Sequence, residues 1–126
     1  MARKILLVDD EAGFTELLKM NLERSGFEVR IENDSTRALI AAREFQPDAI
    51  LLDVVMPGMD GGDVQAQLQA NPILSRIPVV MLTALVDSTE LSEGAVAQAG
   101  SQMVLPKPVN LPLLLRVLDD IVPIPG

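Results

Sequence analysis

The chain has 126 residues, 48% of them hydrophobic and only 2% aromatic, and a net charge of −8. That is the length of one ordinary domain, with a core built mainly from Val, Ile, Leu, Ala and Met. The sequence contains no Cys, His, Trp or Tyr, which excludes disulfides, thiolate or imidazole metal ligands and Ser–His nucleophile pairs within it. The acidity opposes direct binding to nucleic acid or an anionic membrane and suits a divalent cation.

Lys4 to Val8 is a short apolar run closed by Asp9-Asp10, and it reads as a buried strand. From Glu11 the period becomes helical, with Phe14, Leu17, Leu18 and Leu22 assigned to one inward face. Ser25-Gly26 ends this helix. Phe27, Val29 and Ile31 alternate with Glu28 and Arg30, as expected of a half-exposed strand near an edge. Asn33-Asp34-Ser35 offers N-caps for a helix carrying Ala38, Ala41, Ala42 and Phe45 inward, and Gln46-Pro47 breaks it.

Asp48 to Leu52 is the third strand, apolar enough to be buried on both faces, as in a parallel sheet. After the turn at Met56-Pro57-Gly58, Asp60-Gly61-Gly62 opens a helix with Val64 and Leu68 inward, ending at Asn71-Pro72. Ile77 to Leu82 is a fourth strand running into Thr83-Ala84. Ser88 to Ala99 reads as a weak helix closed by Gly100, and Met103 to Leu105 as a fifth strand ending in Pro106-Lys107-Pro108. Asn110 caps a last, strongly apolar helix. The expected domain covers 1–122, with 123–126 a Pro-rich tail or the start of a linker. No segment reads as a signal peptide or membrane span, so a cytoplasmic location is expected.

Five alternations of strand and helix with short connections mean a doubly wound α/β domain, a parallel sheet with helices on both faces. The notable polar residues then gather at strand carboxyl ends: Asp9 and Asp10, Asp53, Thr83 and Lys107. Ligands collect along that edge in open α/β sheets. Each residue has a plainer alternative. Asp53 could start a turn, Asp9 and Asp10 could favour a helix N-terminus, and Lys107 could be a solvated loop lysine.

In order along the chain, L-L-V-D-D-E at 6–11, L-L-D-V-V-M-P-G-M-D-G at 51–61, V-M-L-T-A at 80–84 and P-K-P at 106–108 resemble a response-regulator receiver domain, the phospho-acceptor module of two-component signalling. The resemblance implies a flavodoxin-like (βα)5 fold with strand order 2-1-3-4-5. It makes Asp53 the phospho-acceptor, and Asp9, Asp10, Asp53 and the Val55 carbonyl the Mg2+ ligands. Thr83, Ala84 and Lys107 become the phosphoryl-binding and switch residues, and Lys107-Pro108 a cis peptide. The implied donor is a sensor histidine kinase or phosphotransfer protein carrying a phosphohistidine. The domain would be a switch rather than a turnover enzyme.

Several positions depart from that pattern. Val104 occupies the usual aromatic switch position, and Pro106 precedes the lysine. Val55 and Leu85, two residues after Asp53 and Thr83, are both apolar, so slow self-hydrolysis of the acyl phosphate is expected. Leu113, Leu114, Leu115, Val117 and Leu118 spread around the last helix. That suggests either a helix covered on two sides or a homodimer through the fourth helix, fifth strand and fifth helix. The alternative function is a receiver-fold scaffold that is never phosphorylated. A phosphohydrolase is disfavoured because no second carboxylate lies two residues after Asp53. A flavin-binding domain is disfavoured because Asp9-Asp10 would repel phosphate.

Overall fold

The computed structural model describes residues 2–54, 56–83, 97–99 and 102–122, the segment 97–99 by its backbone. Strands β1 (Arg3–Val8), β2 (Phe27–Glu32), β3 (Ala49–Asp53), β4 (Val79–Thr83), β5 (Ala97–Ala99) and β6 (Gln102–Pro106) form one sheet in the order β2-β1-β3-β4-β6-β5. Five strands are parallel, and in their own sequence order they run 2-1-3-4-5, as expected. The sixth, β5, is antiparallel to β6, with Ala97 opposite Val104 and Ala99 opposite Gln102. This corrects the helix expected over Ser88–Ala99 at its C-terminal end; its other residues and the Ala84–Asp87 loop lie outside the described residues. The helices are α1 (Ala12–Arg24), α2 (Ala38–Phe45), α3 (Gly61–Ala70) and α4 (Leu111–Ile121).

The two-residue period of the strands divides the core into two layers. Ile5, Leu7, Ala49, Leu51, Val80, Leu82 and Leu105 face one side, where α1 contributes Leu18 and Leu22, and α4 contributes Leu114, Val117 and Leu118. Leu6, Val8, Ile50, Leu52, Met81 and Val104 face the other, where α2 contributes Ala38, Ala41 and Ala42, and α3 contributes Val64 and Leu68. A strand apolar on both faces therefore has a use for every residue, which is why β1 and β3 read as unbroken apolar runs. The edge strand β2 is buried at Phe27 and Val29 and exposed at Glu28.

Local signals end the helices where the sequence placed them. Gly26 takes φ +95° after α1, a left-handed conformation that glycine adopts without steric cost. Asp60 and Asp63 form a reciprocal capping box on α3, and the Asn110 side chain accepts from the Leu113 amide on α4.

One reading of a helical face changes, and the last helix shows how its leucines are used. Leu17 is 62% exposed, not inward, and Thr15 takes the buried position on α1 beside Leu18 and Leu22. On α4, Leu111, Leu113, Leu115 and Ile121 pack partly buried against the α1–α4 layer of the core. Leucines around more than one face of that helix are thus accommodated within the domain. Among the described residues the exposed large hydrophobics are Leu17, Met20, Ile40 and Ile73, none of them on α4. No helix of the described residues is long and apolar enough to cross a membrane.

Candidate functional site

The register of β1 and β3 aligns Val8 with Leu52, so the next residues, Asp9 and Asp53, fall side by side at the carboxyl edge. Asp53 is the last residue of β3 rather than the first of the turn. Both carboxylates continue the strand alternation toward the α1–α4 side, and both are buried, Asp9 completely and Asp53 to 4% exposure. One ligand oxygen from each of Asp9, Asp10 and Asp53 lies within 4.8 Å of the others. Asp10 is exposed at the mouth of the cluster.

Lys107 arrives from the far side of the sheet. Its amide donates to the Thr83 carbonyl at 3.0 Å, which ties the ends of β4 and β6 together, and the Lys107-Pro108 peptide is cis. The ammonium lies 2.6 Å from Asp9 Oδ2, 2.9 Å from Glu11 Oε1 and 3.5 Å from Asp53 Oδ2. It also sits 4.5 Å from the centre of the Phe14 ring, within the range of a cation–π contact. Burial alone would lower the pKa of Lys107. The short contacts with Asp9 and Glu11, with the charges of Asp9 and Asp53, outweigh that and hold it above the ordinary lysine value.

Neighbouring polar residues hold this cluster in place. Asn33 Nδ2 donates to the Asp9 carbonyl at 2.7 Å and to Thr15 Oγ1 at 3.2 Å. Asp9 Oδ1 accepts from the Glu11 amide at 3.0 Å, which fixes the carboxylate against the start of α1. Behind Asp53, Val54 bonds the Leu82 carbonyl through its amide, and its own carbonyl accepts from Gly61 at 2.8 Å. Gly61 approaches so closely that a Cβ there would stand 2.5 Å from the Asp53 carbonyl oxygen and 2.8 Å from Val54 Cα. Ser35, buried in the turn that precedes α2, donates to the Pro57 carbonyl and accepts from the Met59 amide, pinning the loop after Asp53.

The structure therefore brings Asp9, Asp10, Asp53 and Lys107 together. Thr83 is buried at the end of β4, on the same sheet edge. Val104 is buried in the α2–α3 layer, paired in register with Met81. Val55, Ala84 and Leu85 lie outside the described residues. Sequence reasoning passed over Glu11, Phe14, Asn33 and Ser35 as parts of the site. Glu11 and Lys107 are 96 positions apart, and no local pattern signals such a contact. In the sequence, Asn33 and Ser35 read only as helix caps.

The donor set fits a hard divalent cation. Three carboxylates offer only oxygens, and Mg2+ is commonly held by a few carboxylates while it keeps several waters. With Glu11 added, four formal negative charges face one ammonium, so the cluster retains a net attraction for a cation.

The model of the response regulator receiver domain matches residues 5–119. The DNA-binding response regulator MtrA of Mycobacterium tuberculosis is 40% identical over 117 residues, which cover 92% of this chain and 50% of MtrA. The alkaline phosphatase synthesis transcriptional regulatory protein PhoP of Bacillus subtilis is 45% identical over 84 residues, 67% of this chain and 34% of PhoP. The chain thus spans about half the length, or less, of these curated relatives. Among solved structures, chemotaxis protein CheY4 of Vibrio cholerae superposes with a TM-score of 0.81 at 29% identity, covering 97% of this chain and 100% of that one. A response regulator from Chloroflexus aurantiacus superposes with a TM-score of 0.79 at 31% identity, covering 96% and 98%.

Proposed function

The chain belongs to the response-regulator receiver family, and on that premise we propose that it is a phospho-acceptor switch in which Asp53 takes a phosphoryl group from a partner's phosphohistidine. The observation that carries this reading is the Lys107 ammonium set between two buried carboxylates, 2.6 Å from Asp9 and 3.5 Å from Asp53, with Asp10 at the mouth. A half-buried lysine whose ammonium is shared among carboxylates in this way is not a solvated loop residue. Buried carboxylates of this kind are costly without a cation to compensate them.

In the proposed reaction a carboxylate oxygen of Asp53 bonds to phosphorus as the phosphorus–nitrogen bond of the donor breaks. The electron pair leaves with the imidazole, and the product is an acyl phosphate. Lys107 stabilises negative charge on the transferring oxygens, and Thr83, followed by Ala84 as the other phosphoryl-binding and switch position, hydrogen-bonds a phosphoryl oxygen of the Asp53 acyl phosphate. Asp9, Asp10, Asp53 and the Val55 carbonyl would hold Mg2+, which when bound would supply further neutralisation of phosphoryl charge. The donor is a sensor histidine kinase or phosphotransfer protein, because the chain has no histidine of its own.

The domain is a cytoplasmic switch, not a turnover enzyme, and its acyl phosphate hydrolyses slowly because Val55 and Leu85 offer no group to orient water. Its net charge of −8 argues against direct contact with nucleic acid; the relative named as DNA-binding is about twice as long. The leucines of the last helix that suggested a homodimer through the fourth helix, fifth strand and fifth helix pack, buried or partly buried, against the domain's own core.

The test is the intact-protein mass after incubation with acetyl phosphate and Mg2+. One added phosphoryl group is expected in the parent, and none in Asp53→Asn or in metal-free samples. A folded, Mg2+-binding protein that takes up no phosphoryl group would replace this reading with the scaffold alternative.

A further inference from the structure

The short connection from β2 to α2 touches both loops that adjoin the acidic cluster. On one side, the Asp9 amide donates to the Glu32 carbonyl at 3.2 Å, and Asn33 Nδ2 donates to the Asp9 carbonyl at 2.7 Å. Consecutive residues at the end of β2 thus hold both backbone polar groups of Asp9. On the other side, Ser35 Oγ donates to the Pro57 carbonyl at 3.1 Å and accepts from the Met59 amide at 3.2 Å. Pro57 and Met59 flank Gly58, whose φ of +83° turns the chain so that the Met59 amide also reaches the Pro57 carbonyl at 3.1 Å. The connection is braced within itself. The Asp34 amide donates to Glu32 Oε2 at 3.1 Å, Asp34 Oδ1 accepts from the Thr36 amide at 3.0 Å, and the Arg37 amide closes on the Asp34 carbonyl at 3.0 Å.

Asp9, Asp10 and Asp53 repel one another, and loops free to move would ease that repulsion by drawing apart. A cation would then have to bring them back together, and the cost of doing so would weaken its binding. A connection that ties one loop to the other removes that cost beforehand. We propose that Asn33 and Ser35 are positioning residues that brace the β1–α1 and β3–α3 loops against each other, so that the carboxylates stand ready for a divalent cation before it arrives. Both side chains bond the backbone of these loops and not the carboxylates themselves. The two grips act in series, so a brace released at either end no longer fixes the spacing. This inference rests on the phospho-acceptor reading for its biological meaning, but its test needs no phosphoryl transfer.

The experiment is calorimetric titration of the whole folded chain with Mg2+, with urea unfolding of each metal-free variant alongside. Asn33→Ala and Ser35→Ala are each expected to weaken Mg2+ binding about three- to tenfold, the scale of one lost hydrogen bond. The double variant is expected to lie within about twofold of the weaker single variant, because the brace is already open. Leu118→Ala is the control for general loosening. Leu118 is fully buried on α4, whose last turn is held at the opposite edge of the sheet by Arg3. Its truncation is expected to lower stability and to leave Mg2+ affinity within about twofold of the parent. Unchanged affinity in either single variant overturns the proposal. Losses that multiply in the double variant, as two independent anchors would give, also overturn it, as does an equal loss in Leu118→Ala. Asn33 is exposed, so Asn33→Ala set against Leu118→Ala decides the matter even if Ser35→Ala does not fold. A parent protein that binds no Mg2+ overturns both this proposal and the metal part of the functional reading. Failure of phosphoryl uptake with Mg2+ binding intact would touch the functional reading alone.

Discussion

Leu51 and Asp53 lie two residues apart on β3, on the same side of the sheet, and are almost equally buried at 0% and 4% exposure. Burial does opposite things to them. Leu51 gains from leaving water and packs among the residues of the α1–α4 layer. Asp53 loses hydration and is tolerated because Lys107 stands 3.5 Å away, within a group of carboxylates that could hold a metal ion. One end of the strand holds the fold together, and the other holds charge in place for chemistry. The difference teaches that burial by itself does not distinguish a core residue from a site residue; what lies around the side chain does.

Truncation at the apolar end should have the largest effect on stability. Leu51→Ala is expected to cost about 2–5 kcal/mol in urea unfolding, as for other fully buried leucines. Molecules that remain folded should still take up one phosphoryl group. A loss below about 1 kcal/mol would break the contrast, since the site would then be as well packed without that leucine.

The charged end should respond to metal instead. At a hundredfold excess over its dissociation constant, Mg2+ should raise the unfolding free energy by about 2.7 kcal/mol. Asp53→Asn should lose most of that gain, while Leu51→Ala should keep it. Equal stabilisation of the parent and Asp53→Asn would place the cation outside this carboxylate cluster.

Gly61 is where the two ends meet, because it backs directly onto the Asp53 carbonyl. A Cβ 2.5 Å from that oxygen must push backbone against backbone. Gly61→Ala should therefore destabilise by about 1–3 kcal/mol and also slow phosphoryl uptake, unlike Leu51→Ala. Destabilisation with an unchanged uptake rate would show that Asp53 keeps its position when its support moves, and would sharpen the boundary between fold and site.

Much of this molecule was legible in the sequence for one reason: the signals were local. The unbroken apolar runs at β1 and β3, the turn at Gly26 and the caps at Asp60 and Asn110 depend on residues within a few positions of each other. The strand-end positions of Asp9, Asp10, Asp53, Thr83 and Lys107 followed from the same alternation. The misses were also physical. Phe14, Leu17, Leu18 and Leu22 leave the phase of α1 ambiguous, and packing chose the rotation that exposes Leu17 and buries Thr15. Ala97-Gln98-Ala99 consists of good helix formers, yet antiparallel pairing with β6 overrides that weak preference.

By itself, then, the sequence determined the α/β alternation, the edge on which the acids and the lysine gather, and the residue types available for chemistry, because each follows from a period of two or 3.6 residues and from side-chain chemistry. Only the tertiary structure decided that Lys107 is shared among Asp9, Glu11 and Asp53 over the face of Phe14, and that Asn33 and Ser35 hold the loops around them. Those contacts join residues distant in the chain, and their geometry is set by how the sheet packs against α1, which no local pattern encodes.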